Sequence, residues 1–205
     1  MNATTRTSDS KLFHTAGTRS ERVRWVLREL QLDYEIITEP RAARSAGLQA
    51  AHPLSKVPAI TVPEGSLFES LAICNWLADS HPAQELGWRA GTWDRAQHDQ
   101  WTAFTLAELE ANLWHTARNK LLYPEHLKVP AVYEQNARES QRALAVLDEH
   151  LRDRKWLVGE RFSVTDIFCG FALCWASWTQ LTTGFEAVER YIGELQGLPN
   201  CTWRR

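Results

Sequence analysis

Three short stretches within the first 70 residues carry groups that could do chemistry. The first is Gly17-Thr18-Arg19-Ser20-Glu21-Arg22, a turn between an apolar strand and an amphipathic helix. Hydroxyls on Thr18 and Ser20, backbone N–H groups at a helix start and the charge of Arg19 are together the groups that stabilise a thiolate. The competing use is local: Thr18-x-x-Glu21 matches a capping box, which would occupy the hydroxyl with its own helix. The second stretch is Lys56-Val57-Pro58-Ala59. Proline cannot donate to a sheet ladder and belongs at a strand start or edge. A cis Val57–Pro58 bond would turn the Val57 backbone outward to pair with an extended peptide; the alternative is an ordinary trans proline. The third is Glu69-Ser70 at a helix entrance. Such a terminus attracts a carboxylate, and Glu69 could pair with a ligand ammonium, unless Ser70 merely caps the helix.

The elements that must position these groups alternate between strand and helix. Lys11–His14 reads as a short strand, Ser20–Leu30 as a helix with Val23, Val26, Leu27 and Leu30 on one face, and Asp33–Thr38 as a second strand. A βαβ unit of this length implies a parallel pair with a right-handed crossover. Residues 41–51 read as an irregular helix. Ala59–Val62 and Leu67-Phe68 then form a hairpin across Pro63-Glu64-Gly65-Ser66, and Ser70–Asp79 is a helix stopped by His81-Pro82. The order is β-α-β-α-β-β-α, an α/β sandwich. Residues 1–10 read as a disordered lead, 11–82 as the first domain and 83–91 as a linker.

After Pro82 the strand signals vanish, and residues 92–205 read as an all-α bundle. Helical periodicity runs from Thr92 to about Leu122 and again from Ala131 to Arg152. Ser163-Val164-Thr165-Asp166 is a capping box opening a helix apolar on nearly every side, which must lie inside the bundle. Trp114, His115 and Arg118 share the long helix and Tyr123 follows it, making them together candidates for a substrate pocket; taken singly, each reads as core or surface packing. His14 reads as a structural residue, and Arg22 and Arg24 as surface or salt-bridge residues.

Composition narrows the class. The chain is 44% hydrophobic with a formal net charge of −2, ordinary for a globular protein and without the basic footprint of a nucleic-acid binder. No apolar run approaches a membrane span, and the polar N-terminus lacks a secretory pattern. Cys74, Cys169, Cys174 and Cys201 form no metal-spaced pair; they read as free thiols in a reducing, cytoplasmic setting. Neither these nor the histidines suggest a metal. Eight of the ten tryptophans follow residue 82 (all but Trp25 and Trp76), so the aromatic load sits in the helical half.

Taken in order, Trp25-Val26-Leu27-Arg28-Glu29-Leu30, then His52-Pro53-Leu54-Ser55-Lys56-Val57-Pro58-Ala59-Ile60, then Leu67-Phe68-Glu69-Ser70-Leu71-Ala72-Ile73, the chain resembles the cytosolic, bacterial-type glutathione S-transferases. Trp156-Leu157-Val158-Gly159 with the Ser163–Asp166 box extends the resemblance, which runs from about Lys11 to Pro199. It implies a thioredoxin-like first domain with Pro58 cis and a helical second domain. It implies glutathione as co-substrate without a metal, the Val57 backbone against its cysteinyl part, Glu69 and Ser70 on the γ-glutamyl end, and His52 and Lys56 near the glycyl carboxylate. Thr18 falls at the sulfur-contacting position, where serine, tyrosine or cysteine is usual. His52 and Ser55 replace the usual asparagine and glycine. The implied activity is transfer of the thiol to a small apolar or aromatic electrophile, with a role in detoxification, as a homodimer. Rival readings are a glutathione-dependent peroxidase or disulfide reductase and a non-catalytic ligand-binding or interaction protein.

Overall fold

The computed structural model describes residues 6–40 and 44–203. The first strand, β1, spans Arg6–His14 and starts earlier than the sequence reading of a disordered lead through residue 10: Arg6 pairs with Asp33, and a register shift separates that pair from Lys11↔Glu35. Helix α1 is Ser20–Glu29, β2 Asp33–Thr38, α2 Ala46–Ala51, β3 Ala59–Val62, β4 Gly65–Phe68 and α3 Ser70–Ser80. Part of the irregular helix expected over 41–51 lies outside the described residues; the rest is α2, with Ser45 accepting from Leu48 N at its N-cap.

The sheet order is β2-β1-β3-β4. β1 and β2 are parallel, joined through α1; β3 runs antiparallel to β1 and forms a hairpin with β4. Leu12 and Ile60 face each other across β1 and β3, both wholly buried. α1 packs beside α3, and Val23, Trp25, Val26, Ile73, Cys74 and Leu77 are buried in these two helices. Gly17 takes φ 70° where the chain leaves β1 for α1, a conformation open to glycine without a Cβ penalty.

The helical region holds α4 (Trp93–Phe104), a π-helical stretch (Thr105–Glu110), α5 (Ala111–Leu121), α6 (Val132–Leu151), α7 (Val164–Trp178) and α8 (Glu186–Gly197). The single long helix expected from Thr92 to Leu122 is thus α4 and α5 joined through the π stretch, whose wider turns change which residues share a face. α7 is buried along nearly its whole length. Its capping box is complete: Ser163 Oγ accepts from Thr165 N, and Asp166 accepts from Ser163 N at 2.8 Å. Asp166 also accepts from Leu157 N at 2.9 Å and Tyr191 Oη at 2.7 Å, tying the loop before α7 to α8.

The chain divides into two compact units, Met1–Arg89 with Leu198–Arg205, and Ala90–Gly197. The last segment therefore belongs with the first unit, not with a helical domain running to residue 205. Asn200 donates to Glu29, Thr202 donates to the Glu21 carbonyl, and the Trp203 ring meets Trp25 edge-on at 5.0 Å. These contacts to α1 were not readable from the terminal sequence. All four cysteines are buried free thiols, and burial pushes Cys74 up to about 12 despite nearby Arg22.

Candidate active site

The turn after β1 gathers a continuous chain of hydroxyls. Thr18 Oγ1 lies 2.7 Å from the Thr15 carbonyl, to which it donates, and 2.8 Å from Ser20 Oγ. Ser20 Oγ in turn lies 2.7 Å from His14 Nδ1. Thr18 is half-buried whereas Ser20 is fully buried, so Ser20 reaches a ligand only through Thr18. Arg19 holds the N-cap position of α1 without a side-chain cap bond.

The capping box suspected at Thr18-x-x-Glu21 does not form. Glu21 reaches back to Gly17 N, not Thr18 N, and the Thr18 hydroxyl turns toward the strand end. Glu21 instead faces His14 Nε2 at 3.7 Å and pairs with Arg24 at 3.1 Å. Burial pulls the His14 imidazole below its ordinary range; Glu21 opposes this and Arg24 adds to it. A neutral His14 bearing its hydrogen on Nδ1 donates to Ser20, leaving Nε2 to accept from Arg24 at 3.4 Å. His14 is the residue whose part in the site the sequence did not disclose, because its partner stands six positions on, across a turn.

On β3 and α3 the second set assembles. Val57–Pro58 is cis immediately before β3, and the Val57 side chain packs on the Phe13, Leu48, Ala51 and Ala59 cluster. Among the described residues no hydrogen bond engages the Val57 main chain. Glu69 is the N-cap of α3, exposed, with φ 68° and ψ 115°, a conformation costing an L residue about 1–3 kcal/mol. Ser70 is accordingly the first helical residue, not the cap, and its Oγ accepts from Arg22 Nη1 at 3.2 Å.

Arg22 is wholly buried, contrary to its reading as a surface residue. Its charge hid its place on the buried side of α1, and nothing local announced a partner 48 positions on. His52 is buried against the Phe68 ring at 4.8 Å and accepts from Leu54 N. Burial lowers its pKa, Glu69 raises it and exposed Lys56 lowers it, so these three groups share one electrostatic neighbourhood.

In the helical unit, His115, Arg118 and Tyr123 line a cleft of about 220 Å³ with Asn119, Val132 and Asn136. Trp114, the fourth candidate, does not line it. Among the described residues no group of three or more His, Cys, Asp or Glu could hold a metal ion, and no helix is long and apolar enough to cross a membrane.

Comparison with known proteins agrees with this architecture. Residues 12–85 match the family model of the glutathione S-transferase N-terminal domain, and residues 113–199 that of the C-terminal domain. The chain is 26% identical over 196 residues to glutathione S-transferase GstA of Escherichia coli O157:H7, covering 92% of this chain and 94% of that one. It is 31% identical over 158 residues to elongation factor 1-gamma 2 of Oryza sativa subsp. japonica, covering 73% of this chain but only 36% of that much longer protein. A sphingomonad glutathione S-transferase, solved in complex with glutathione, superposes with a TM-score of 0.80 at 29% identity, covering 93% of this chain and 94% of that one. With both domain models matched in order and the thioredoxin-like sheet followed by a helical unit, the chain belongs to the glutathione S-transferase family, and its domains are those of a glutathione transferase.

Proposed function

We propose that this protein binds glutathione along Val57, Glu69 and Ser70, ionises its thiol beside Thr18, and transfers the thiolate to a small electrophile. The carrying observation is the chain from Thr18 through Ser20 to His14 at the start of α1. A free thiol near pKa 8.5 is only about 3% ionised at pH 7; lowering it by about two units requires roughly 2.7 kcal/mol of differential stabilisation. With His14 Nδ1 donating to Ser20, the Ser20 hydrogen turns from the Thr15 carbonyl to Thr18 Oγ1, and the Thr18 hydrogen swings from that same carbonyl to the sulfur. Each donor in such a series polarises the next.

The main chain of Val57 supports the cysteinyl contact, because it has both a donor and an acceptor to offer an extended peptide. Glu69 supplies a carboxylate for the γ-glutamyl ammonium, and the α3 N-terminus supplies N–H groups for its carboxylate. His52 and Lys56 take the glycyl end. Arg19 adds positive charge at the turn. His115 and Arg118 on α5 and Tyr123 just after it, which line the cleft, are assigned to the electrophile. A homodimer in the cytoplasm with a detoxification role completes the reading, on the strength of the family.

The elongation-factor relative supports one alternative, a non-catalytic glutathione- or ligand-binding interaction protein. Calorimetry with reduced glutathione, followed by turnover of an activated aryl halide, separates the readings. Transferase activity requires both binding and conjugation. Binding without conjugation favours the interaction protein, and reduction of a hydroperoxide or mixed disulfide without conjugation favours a redox enzyme. Absence of heat at millimolar glutathione overturns both enzyme readings and leaves the interaction protein.

A further inference from the structure

The cleft between α5 and α6 is lined mainly by polar side chains and one cation. Arg118 is half-buried, and its Nε is fully enclosed without a hydrogen-bond partner. Among the described residues its guanidinium forms no ion pair, and it lies over the Tyr123 ring, 5.3 Å from Cζ to the centroid. Among the described residues no Asp or Glu lines the cleft.

Asn119 is buried and oriented by two donors, with Oδ1 accepting from Val129 N at 2.8 Å and Tyr133 Oη at 3.1 Å. That orientation fixes its Nδ2 hydrogens as donors for something else. Asn136 is held from the opposite wall by donation to Thr116 at 3.0 Å. A guanidinium drawn partly out of water without a counterion is costly, and the cost is recovered when an anion arrives. Val132 and the Tyr123 ring give the same cleft a small apolar wall, and about 220 Å³ suits a single-ring molecule better than the 300–1,000 Å³ typical of drug-sized pockets.

We propose that this cleft recognises a carboxylate: the electrophile is a small organic acid whose carboxylate pairs with Arg118 while its ring or chain lies on Tyr123 and Val132. This rests on the reading of the cleft as the electrophile's. For an aryl chloride acid the glutathione thiolate forms the C–S bond, chloride leaves with the C–Cl electron pair, and the thiol proton has already passed to solvent. The carboxylate takes no part in bond making.

The test uses the full chain and two pairs of probes. Benzoate and benzamide are compared by calorimetry without glutathione, and 4-chloro-3-nitrobenzoate and its amide are compared as electrophiles with glutathione. The expected result is benzoate binding at least ~10-fold tighter than benzamide and a similar preference in kcat/KM, as one charged hydrogen-bonded pair of about 1.4 kcal/mol gives. Arg118→Met abolishes both preferences, and Arg118→Lys, which keeps the charge without the fork, restores part of them. Equal binding of acid and amide overturns the proposal and leaves Arg118 a packing residue on Tyr123. A preference that survives Arg118→Met, or turnover indifferent to the carboxylate, overturns it as well. If neither electrophile is turned over, the transferase reading fails, and the benzoate comparison still decides the cleft.

Discussion

At Thr18 the decisive quantity is one hydrogen. Its hydroxyl is now given to the Thr15 carbonyl and must rotate to meet a sulfur, so the side chain's worth lies in the difference between those two acceptors. Thr18→Ala should lower kcat by about 10- to 100-fold, roughly 1.4–2.7 kcal/mol of transition-state stabilisation, while glutathione affinity changes little; Thr18→Ser should keep most activity. Steady-state kinetics across the three forms checks this. Glu69→Gln retains shape and removes the charge offered to the γ-glutamyl ammonium, so the Kd for glutathione should rise about 5- to 10-fold by calorimetry with melting temperature unchanged. Candidates of this kind stand out in the sequence because they lie within a few positions of a helix start. Arg22 and His14 were not, since a buried arginine and a histidine at a strand end show their partners, Ser70 and Ser20, only after the chain has folded.

Among elements, the join between the loop at Leu157, the start of α7 and α8 depends on Asp166. Its carboxyl accepts from Leu157 N, Ser163 N, Ser163 Oγ and Tyr191 Oη, while burial pushes it up to about 6. Asp166→Ala strands these buried donors at about 1–3 kcal/mol each, and urea unfolding should show a loss of at least ~3 kcal/mol. The raised carboxyl alone makes stability fall as pH rises from about 3.8 to about 6, because the folded state then binds more protons than the unfolded one. Buried His14 and His52 and half-buried His150 act oppositely: their lowered values favour the neutral ring, so stability is lost as pH drops below about 6.5. Above about pH 6 the carboxyl's contribution is nearly constant and the histidines set the sign, so the melting temperature should fall as pH drops from about 7.5 to about 6, less steeply in His150→Gln. The Ser163–Asp166 box and α7's burial were readable from four residues and an apolar run. The π stretch at Thr105–Glu110 was not, because a one-residue widening of the turn leaves no compositional mark.

Across the whole molecule, two units share one chain, and the return of Leu198–Trp203 to the first unit is the feature that a linear reading divides wrongly. Trp203 is 4% exposed and meets Trp25, itself wholly buried. Trp203→Ala should therefore cost about 3–5 kcal/mol, seen as a lowered melting transition, even though the residue stands near the end of the chain. The α/β-then-α order was evident from the loss of strand signals after Pro82, whereas a terminal segment of a few residues carries too little periodicity to reveal where it docks.

Ultraviolet titration of the thiolate of glutathione bound to the intact protein tests the central claim most directly. An ionisation about two units below the free thiol's ~8.5, returning upward by about one unit in Thr18→Ala, is the expected result. A bound thiol that titrates like the free one, or whose ionisation ignores Thr18, would contradict it.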